Sequence, residues 1–475
     1  MRRFRGYLAN TVGKPIGPRG GAVGAAAKLR WDLLMLCLAV MLLTYVWRFQ
    51  SIFSPIAKLQ VTTLATLGAY GLYVLNGDPR RRLSHLKQPV VILMLCIFGM
   101  MLLSVPGSLW PGGSFAFIKD FIKTLVFALL LAAGIRAFAD VERLAAVHVL
   151  GAMVYSAMVL RGTGVDPLGR ARGIGGYDSN DYSLLLVCTL PLTAYFLATA
   201  KTTLRKILAG AAILALTLAI VKGGSRSGFV GLIAVFGYML VAYRALPRKF
   251  RIGAVVVGLL GLMFVANETY WRRMSTLLNP SQDYNWSGNA YLGRMQIWKR
   301  GLSYMWQRPL LGVGIGRFGT AEGRLSERAQ GPDYGPGLRW TSPHNSFVEI
   351  GAELGIPGLL LFIALILYAL RAMMRLGRSP PGVSGRRDPQ AAMAQAMVAV
   401  MIGYVVVGFF ISQAYSYYLY SLLGIMAGLA KVGGVGRAQP ARARRRRGPQ
   451  VAPRSAPALA AGPTKGRRRL LTGNR

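Results

Sequence analysis

The stretch YSLLLVCTLPLTAYFLATA, residues 182–200, decides the fold together with RKILAGAAILALTLAIVK, residues 205–222. A helix needs about 20 apolar residues to cross the hydrocarbon core of a bilayer, and each stretch supplies one such run. The sequence contains ten further candidates: 31–48, 56–75, 89–109, 115–135, 141–160, 227–244, 250–267, 346–370, 391–412 and 415–433. We therefore predict an all-α polytopic membrane protein with about twelve transmembrane helices.

The composition supports this class of protein and excludes others. Among the 475 residues, 53% are hydrophobic and only 15% are charged, whereas soluble domains carry about 25% charged residues. Lys and Arg number 57 against 16 Asp and Glu, a net charge of +41. The apolar bulk argues against a disordered chain and against a protein that only binds nucleic acid. The basic residues are expected in loops and tails.

The basic loops also predict the orientation. Short loops rich in Lys and Arg mark the cytoplasmic side of a membrane protein, and four such loops fall on one side of the predicted spans: 80–87, 201–206, 244–251 and 371–387. An even number of spans places both termini on that side. The long segment 268–345 then lies on the outer face.

The predicted organisation has five parts. They are a basic cytoplasmic arm (1–30), transmembrane helices 1–9 (31–267), a long outer loop (268–345), transmembrane helices 10–12 (346–433) and a basic tail (434–475). The tail alternates Ala, Pro and Arg without acidic residues after Gly434, which predicts disorder. Such a tail favours anionic lipid headgroups as partners; nucleic acid is the alternative, and we do not expect it.

The long outer loop contains two interpretable patterns. Residues 290–307 form an amphipathic pattern and predict a helix at the membrane surface. Its predicted apolar face consists of Tyr291, Met295, Trp298, Leu302 and Met305. The run from Gly314 to Gly319 matches a dinucleotide-binding fingerprint, but no strand precedes it. We interpret that run as a glycine-rich turn.

Three arginines of the outer face are candidate ligands for phosphate, because a guanidinium offers a two-pronged fork and keeps its charge. Arg226 lies among small residues where two spans meet, Arg294 lies one turn before Trp298, and Arg172 precedes the span at 182–200. Each has a structural alternative. Arg226 is otherwise a snorkelling boundary residue, Arg294 a surface charge stacked on the indole, and Arg172 a loop residue.

His344 is the candidate general base. It lies in Thr341–Glu349, where Ser346 and Glu349 have capping-box spacing before an apolar run. A histidine at a helix N-terminus experiences a positive potential that disfavours imidazolium, so it stays neutral and can accept a proton. The alternative is a solvated loop histidine. The three cysteines and three histidines are scattered, so we expect no metal and no cofactor.

Together these stretches resemble the O-antigen ligase and O-antigen polymerase superfamily of bacterial cell envelopes. The resemblance covers about residues 160–430. It is carried by Ser225–Leu232, Gly293-Arg294 with Trp298, Gly312-Val313-Gly314, Pro343–Glu349 and Glu353–Gly358. By this resemblance, Arg226 and Arg294 match the family's essential arginines and His344 its essential histidine, while Arg172 matches a further arginine in a loop of variable length.

The resemblance also implies an architecture, a location and a reaction for the protein. These proteins are membrane glycosyltransferases of the helical architecture called GT-C, in the bacterial inner membrane. They transfer a glycan from undecaprenyl pyrophosphate on the periplasmic face. The acceptor is a lipid A-core sugar in ligases, a growing glycan in polymerases, and a protein hydroxyl in a third branch. We expect a ligase acting by metal-independent inverting displacement. The alternative from another class is a flippase or transporter of an anionic lipid.

Overall fold

The computed structural model describes residues 31–434, apart from 163, 167–169, 267, 280, 282, 288–289, 331–340 and 379–387. The predicted basic arm, the tail beyond Gly434 and part of the long loop therefore lie outside the described residues. Within the described residues the chain is helical, and its β-structure is one isolated bridge between Val165 and Ala171. The predicted all-α class is confirmed.

Eighteen α-helices follow one another along the described chain. They are α1 (Leu33–Met41), α2 (Phe49–Ile52), α3 (Ser54–Lys58), α4 (Val61–Val74), α5 (Pro89–Ser104), α6 (Pro111–Gly134), α7 (Phe138–Arg161), α8 (Ser179–Thr199), α9 (Thr203–Lys222), α10 (Arg226–Ala242), α11 (Arg248–Val265), α12 (Glu268–Ser275), α13 (Arg294–Gln307), α14 (Phe318–Leu325), α15 (Glu327–Gln330), α16 (Ser346–Gly377), α17 (Pro389–Gly408) and α18 (Tyr417–Val432). A short π-helix, Leu42–Val46, follows α1 directly.

Each of the twelve predicted spans coincides with helical structure, although the second is divided between α3 and α4. Among the described helices, five are long and apolar enough to cross a membrane: α7, α8, α9, α16 and α17. If the bent pair of helical segments Pro79–Leu86 and Pro89–Ser104 forms one span, the number of such candidate spans is six. Four shorter helices are also apolar. The chain is thus a multi-pass membrane protein, while the number twelve stays a prediction.

Helices α8, α17 and α18 form the centre of the molecule. Most of their residues are buried, which explains why they are apolar on all faces. Glycines let neighbouring helices approach them closely. Gly231 of α10 lies against Val187 and Val407, and Gly424 of α18 lies against the backbone of α6 at Ala128. The core therefore holds α10 and α6 at fixed distances from the centre.

Helix α16 is broken near its start, and the long loop packs on the break. Gly355 has a φ of 71°, a left-handed conformation that glycine adopts without steric cost. Ile356 N donates a 2.8 Å hydrogen bond to Pro309 O. The buried Glu353 carboxylate accepts from the backbone N–H groups of Gly316 and Phe318 at 2.9 and 3.0 Å. This fixes the predicted glycine-rich turn against α16.

The predicted helix of the long loop exists, with a different buried face. It begins at Arg294 rather than 290, and it buries Ile297, Trp298, Gly301, Tyr304 and Met305. The predicted face was partly wrong, because the helix packs on the first turns of α16 through a separate apolar cluster. In that cluster, Ile297, Trp298 and Tyr304 lie with Val313, Phe318, Ala321, Val348 and Ala352.

The predicted capping box was also wrong. Asn345 is the N-cap of α16, and its Oδ1 accepts from Phe347 N at 2.9 Å and Val348 N at 3.1 Å. Ser346 Oγ instead donates to Ile411 O at 2.8 Å, in the segment that joins α17 to α18. Glu349 accepts from Ala414 N in the same segment. Ser346 and Glu349 thus attach α16 to its neighbours instead of capping it.

Candidate functional site

The helices α8 and α10 begin side by side. Asp178 caps α8 by accepting from Asn180 N and Asp181 N, both at 2.8 Å. Ser225 caps α10 by accepting from Gly228 N at 3.1 Å, and its hydroxyl donates to Asn180 Oδ1 at 2.7 Å. The cap of one helix is therefore bonded to the first turn of the other.

The helices α13 and α16 join this arrangement through two links. Trp298 Nε1 of α13 donates to Pro343 O, two residues before the N-cap of α16, at 2.8 Å. Gln413 bridges α16 and α8: its backbone N donates to Ser346 Oγ at 3.0 Å, and its Nε2 donates to Asp181 Oδ1 at 2.8 Å. Four helix N-termini, each with a positive dipole end, thus lie at one end of the molecule.

His344 lies at this end, directly before the N-cap of α16. Its φ of 47° is left-handed, a region that histidine enters more readily than most residues. The ring is half-buried. Burial lowers its pKa, the charge of Arg294 lowers it further, and Asp178 opposes both effects. The imidazole is therefore neutral near pH 7 and has the capacity to accept a proton.

Arg294 is the first residue of α13 and is half-buried. Burial lowers its pKa to about 10, with Arg226 as the next cause and Asp178 opposing. Its guanidinium makes no hydrogen bond or ion pair with any residue that the structure describes. A half-buried cation without a carboxylate partner favours binding of an anion.

Arg226, the first residue of α10, is tied to the loop after α12. It forms an ion pair with Asp283, and its Nη1 donates to Thr276 Oγ1 at 2.9 Å. Its side chain remains 26% exposed. The charge of Arg226 lowers the pKa of Arg294, and the charge of Arg294 lowers the pKa of His344. The structure therefore brings these three residues together, out of the four that were singled out from the sequence.

Two further arginines belong to this group, and sequence reasoning missed both. The charges of Arg170 and Arg273 lower the pKa of Arg226, and both side chains lie close to Gly224. Arg170 Nε is held by Asp166 at 2.6 Å. Arg172 lies two residues along the same loop; it is exposed, and its backbone N donates to Gly164 O at 3.0 Å. A ligand role for Arg172 stays a prediction.

A narrow apolar cavity begins one turn from Arg226. It has a volume of about 240 Å³ and lies between α9, α10 and α11. Along α10 it is lined from Phe229 to Leu240, which corresponds to about 17 Å of helix. An extended hydrocarbon chain fits a cavity of this shape, with its polar end beside the arginines.

The comparisons with known proteins concern the part of the chain that forms this site. Residues 210–363 match the family model of O-antigen ligase. That range includes Arg226, Arg294 and His344, and it leaves out Arg170 and Arg172. No curated protein matches the chain. The resemblance predicted from the sequence motifs is confirmed.

Proposed function

We propose that this member of the O-antigen ligase superfamily transfers a glycan from undecaprenyl pyrophosphate to a lipid A-core sugar hydroxyl. The observation that carries the proposal is the half-buried His344 beside Arg294, which has no partner among the described residues, at the point where four helices begin. A base next to an anion site is the combination that displacement of a pyrophosphate requires. Transfer by purified protein from a lipid-linked donor to an isolated acceptor tests it directly.

The donor would be held at both of its ends. Arg226 and Arg294 would bind the pyrophosphate, with Arg170 and Arg273 adding positive charge and Arg172 reaching the group from the loop. The part of the polyprenyl tail nearest the pyrophosphate would occupy the apolar cavity along α10. Guanidinium groups and helix N-termini stabilise the charge that develops on a leaving phosphate.

In the proposed reaction, His344 accepts the proton of the acceptor hydroxyl as the hydroxyl oxygen attacks the anomeric carbon of the donor sugar. The new C–O bond forms while the bond to the pyrophosphate oxygen breaks, and the pyrophosphate leaves with the bonding electrons. One displacement of this kind inverts the anomeric carbon. The leaving group is already acidic, so neutralisation by the arginines suffices and no metal is required.

The acceptor separates the possible members of the superfamily. A ligase uses the lipid A core, a polymerase uses a growing O-antigen or exopolysaccharide, and a protein O-oligosaccharyltransferase uses a protein hydroxyl. Lipopolysaccharide gels of a deletion strain distinguish them. Loss of all attached O-chain supports the ligase, a core carrying a single repeat indicates a polymerase, and an unchanged profile with loss of protein glycans indicates the third branch. A flippase would need its cations in a cavity open to both faces, whereas these arginines lie at one end of the helices.

We further propose twelve spans of GT-C architecture in the bacterial inner membrane, with both termini cytoplasmic and 268–345 periplasmic. Single cysteines test the orientation after Cys37, Cys96 and Cys188 are replaced. Leu278, in the long loop, and Lys249, at the start of α11, are both exposed. A membrane-impermeant thiol reagent added from outside should modify Leu278→Cys and spare Lys249→Cys. The reverse pattern would place the site in the cytoplasm.

A further inference from the structure

A large cavity opens at the end of the helices opposite to the candidate site. It has a volume of about 1130 Å³ and is lined by α7, α8, α9 and the start of α17. Helix α8 begins at the candidate site with Asp178, whereas its lining residues run from Thr193 towards its far end. The volume exceeds the roughly 300–1,000 Å³ of most small-molecule sites, so a molecule of lipid size fits.

The lining of this cavity combines a charged band near its mouth with an apolar deeper part. On α7 it runs from Phe138 and Ala139 through the charged pair Glu142 and Arg143 to Met153. The ten helical steps from Arg143 to Met153 span about 15 Å, half of the roughly 30 Å hydrocarbon core of a bilayer. Leu150 is 54% exposed, so the cavity is open sideways to lipid. Its depth matches one leaflet.

Two basic side chains, Lys201 and Arg205, line the mouth of the cavity. Neither side chain makes a hydrogen bond or ion pair with a residue that the structure describes. The third cation, Arg143, is held by Asp140 at 2.8 Å.

The two acidic residues at the mouth are already engaged. Glu142 accepts from Tyr195 Oη at 2.6 Å, and Asp388 accepts from Gln390 N at 3.1 Å as the cap of α17. The mouth carries three basic side chains, Arg143, Lys201 and Arg205, against these two acidic ones, so a ligand with a negative headgroup is complementary to it.

We propose that this cavity binds one anionic phospholipid from the leaflet opposite to the candidate site. Its phosphate lies between Lys201 and Arg205, and an acyl chain packs on the apolar lining of α7, α8 and α9. Basic pockets between transmembrane helices bind anionic lipid headgroups in this way. The apolar depth excludes an acidic peptide or a free anion as the occupant. Lipid binding at this cavity requires only that the chain spans a membrane, and it does not depend on the proposed glycan transfer.

Lipid retention by the purified full-length chain tests the charge requirement. The protein in non-ionic detergent is titrated with phosphatidylglycerol or phosphatidylcholine, and bound lipid is counted by native mass spectrometry. One phosphatidylglycerol should remain bound under conditions that remove phosphatidylcholine. The double variant Lys201→Gln/Arg205→Gln should bind phosphatidylglycerol about 30-fold more weakly, from about 1 kcal/mol per basic residue.

A matched control removes the same charge elsewhere at this end of the helices. Arg248 and Lys249 start α11, are exposed and do not line the cavity. The variant Arg248→Gln/Lys249→Gln should retain phosphatidylglycerol as the unchanged protein does. If both double variants lose phosphatidylglycerol equally, general surface charge explains the binding, and the proposal is overturned.

A second variant tests the apolar part of the cavity. Ala146 is exposed within it, so Ala146→Trp fills space without disturbing the packed core or the cations. This variant should also lose the bound lipid while its melting temperature in detergent stays unchanged. Full retention by Ala146→Trp, or equal retention of the two lipids by the unchanged protein, would overturn the proposal.

Discussion

Arginines cluster at both ends of the helices, and the two clusters differ in how their charges are balanced. At the end away from the candidate site, Arg81, Arg136 and Arg143 all pair with Asp32 or Asp140 at 2.6–2.9 Å. At the candidate site, Asp166 and Asp283 hold Arg170 and Arg226, while Arg294 makes no such contact with a described residue. Asp140 is fully buried and Asp32 caps α1.

The difference separates two uses of the same residue type. A guanidinium paired with a buried carboxylate holds helices together, because removing either partner leaves an isolated charge. A half-buried guanidinium without such a partner adds little to the fold and has its bonding capacity free for a ligand. Substitutions at the first cluster should therefore lower stability, and substitution of Arg294 in the second should lower activity.

The largest expected effect on activity is at His344. His344→Asn keeps a residue that tolerates the left-handed backbone and removes the base, so turnover should fall by roughly 10²–10⁴. Donor binding and melting temperature should stay unchanged, since Asn345 supplies the cap of α16. Transfer by purified protein is measured beside donor binding. His85, which contacts Pro79 O at the opposite end, serves as the control: His85→Asn should keep full activity. Wild-type turnover in His344→Asn would remove the base from the mechanism.

Arg294 and Arg136 form the most direct pair of tests. Arg294→Gln should lower transfer by roughly 10²–10³ through loss of charge stabilisation, without lowering the melting temperature. Arg136→Gln leaves the buried Asp140 short of a partner and should lower the free energy of unfolding by about 3–5 kcal/mol. Activity per folded molecule should survive in Arg136→Gln. A stability loss in Arg294→Gln equal to that in Arg136→Gln would erase the distinction between the clusters.

A smaller effect on glycan transfer is expected when an arginine is replaced by lysine, which keeps the positive charge but not the shape of the guanidinium. Arg226→Lys cannot reproduce a two-pronged contact with pyrophosphate and should lose about 10- to 100-fold in transfer, the loss of one hydrogen bond between charged groups. Arg143 forms an ion pair with Asp140 at 2.8 Å, at the end of the helices away from the candidate site, so Arg143→Lys should change transfer little. If Arg226→Lys transfers glycan at near wild-type rates, Arg226 is a snorkelling residue at the membrane boundary and not a ligand of the pyrophosphate.

The smallest expected effect is a shift in the pH profile. The carboxylate of Asp178 raises the pKa of His344 against burial and Arg294. Asp178→Asn keeps a residue that caps helices and removes that carboxylate, so the pKa of His344 should fall. Because the neutral imidazole is the active form, the acid limb of kcat/KM should move to lower pH. Asp388→Asn, the same change at the cap of α17, should leave the limb in place. A shift to higher pH in Asp178→Asn would contradict the assigned base.

Much of the fold is predictable because its signals are local. Length and apolar composition predict helical structure at each of the twelve candidate stretches, and motifs next to helix starts single out Arg294 and His344. The predictions that were wrong concern features that tertiary contacts determine. Ser346 has capping-box spacing, yet it bonds Ile411, 65 residues away. The buried face of α13 is selected by α16, and Arg170 is distinguished from Arg172 only by the helices around their loop.

The contact between Glu353 and the turn at Gly316 has a consequence for biosynthesis. The two residues are 37 positions apart in the chain, and α16 is made after the turn. At about 5–20 residues per second, the amides of Gly316 and Phe318 wait roughly 2–7 s for their acceptor. During this time the surface on which the long loop packs has not been made. The nascent loop is therefore completed by the helix that follows it, so maturation of the candidate site depends on insertion of α16.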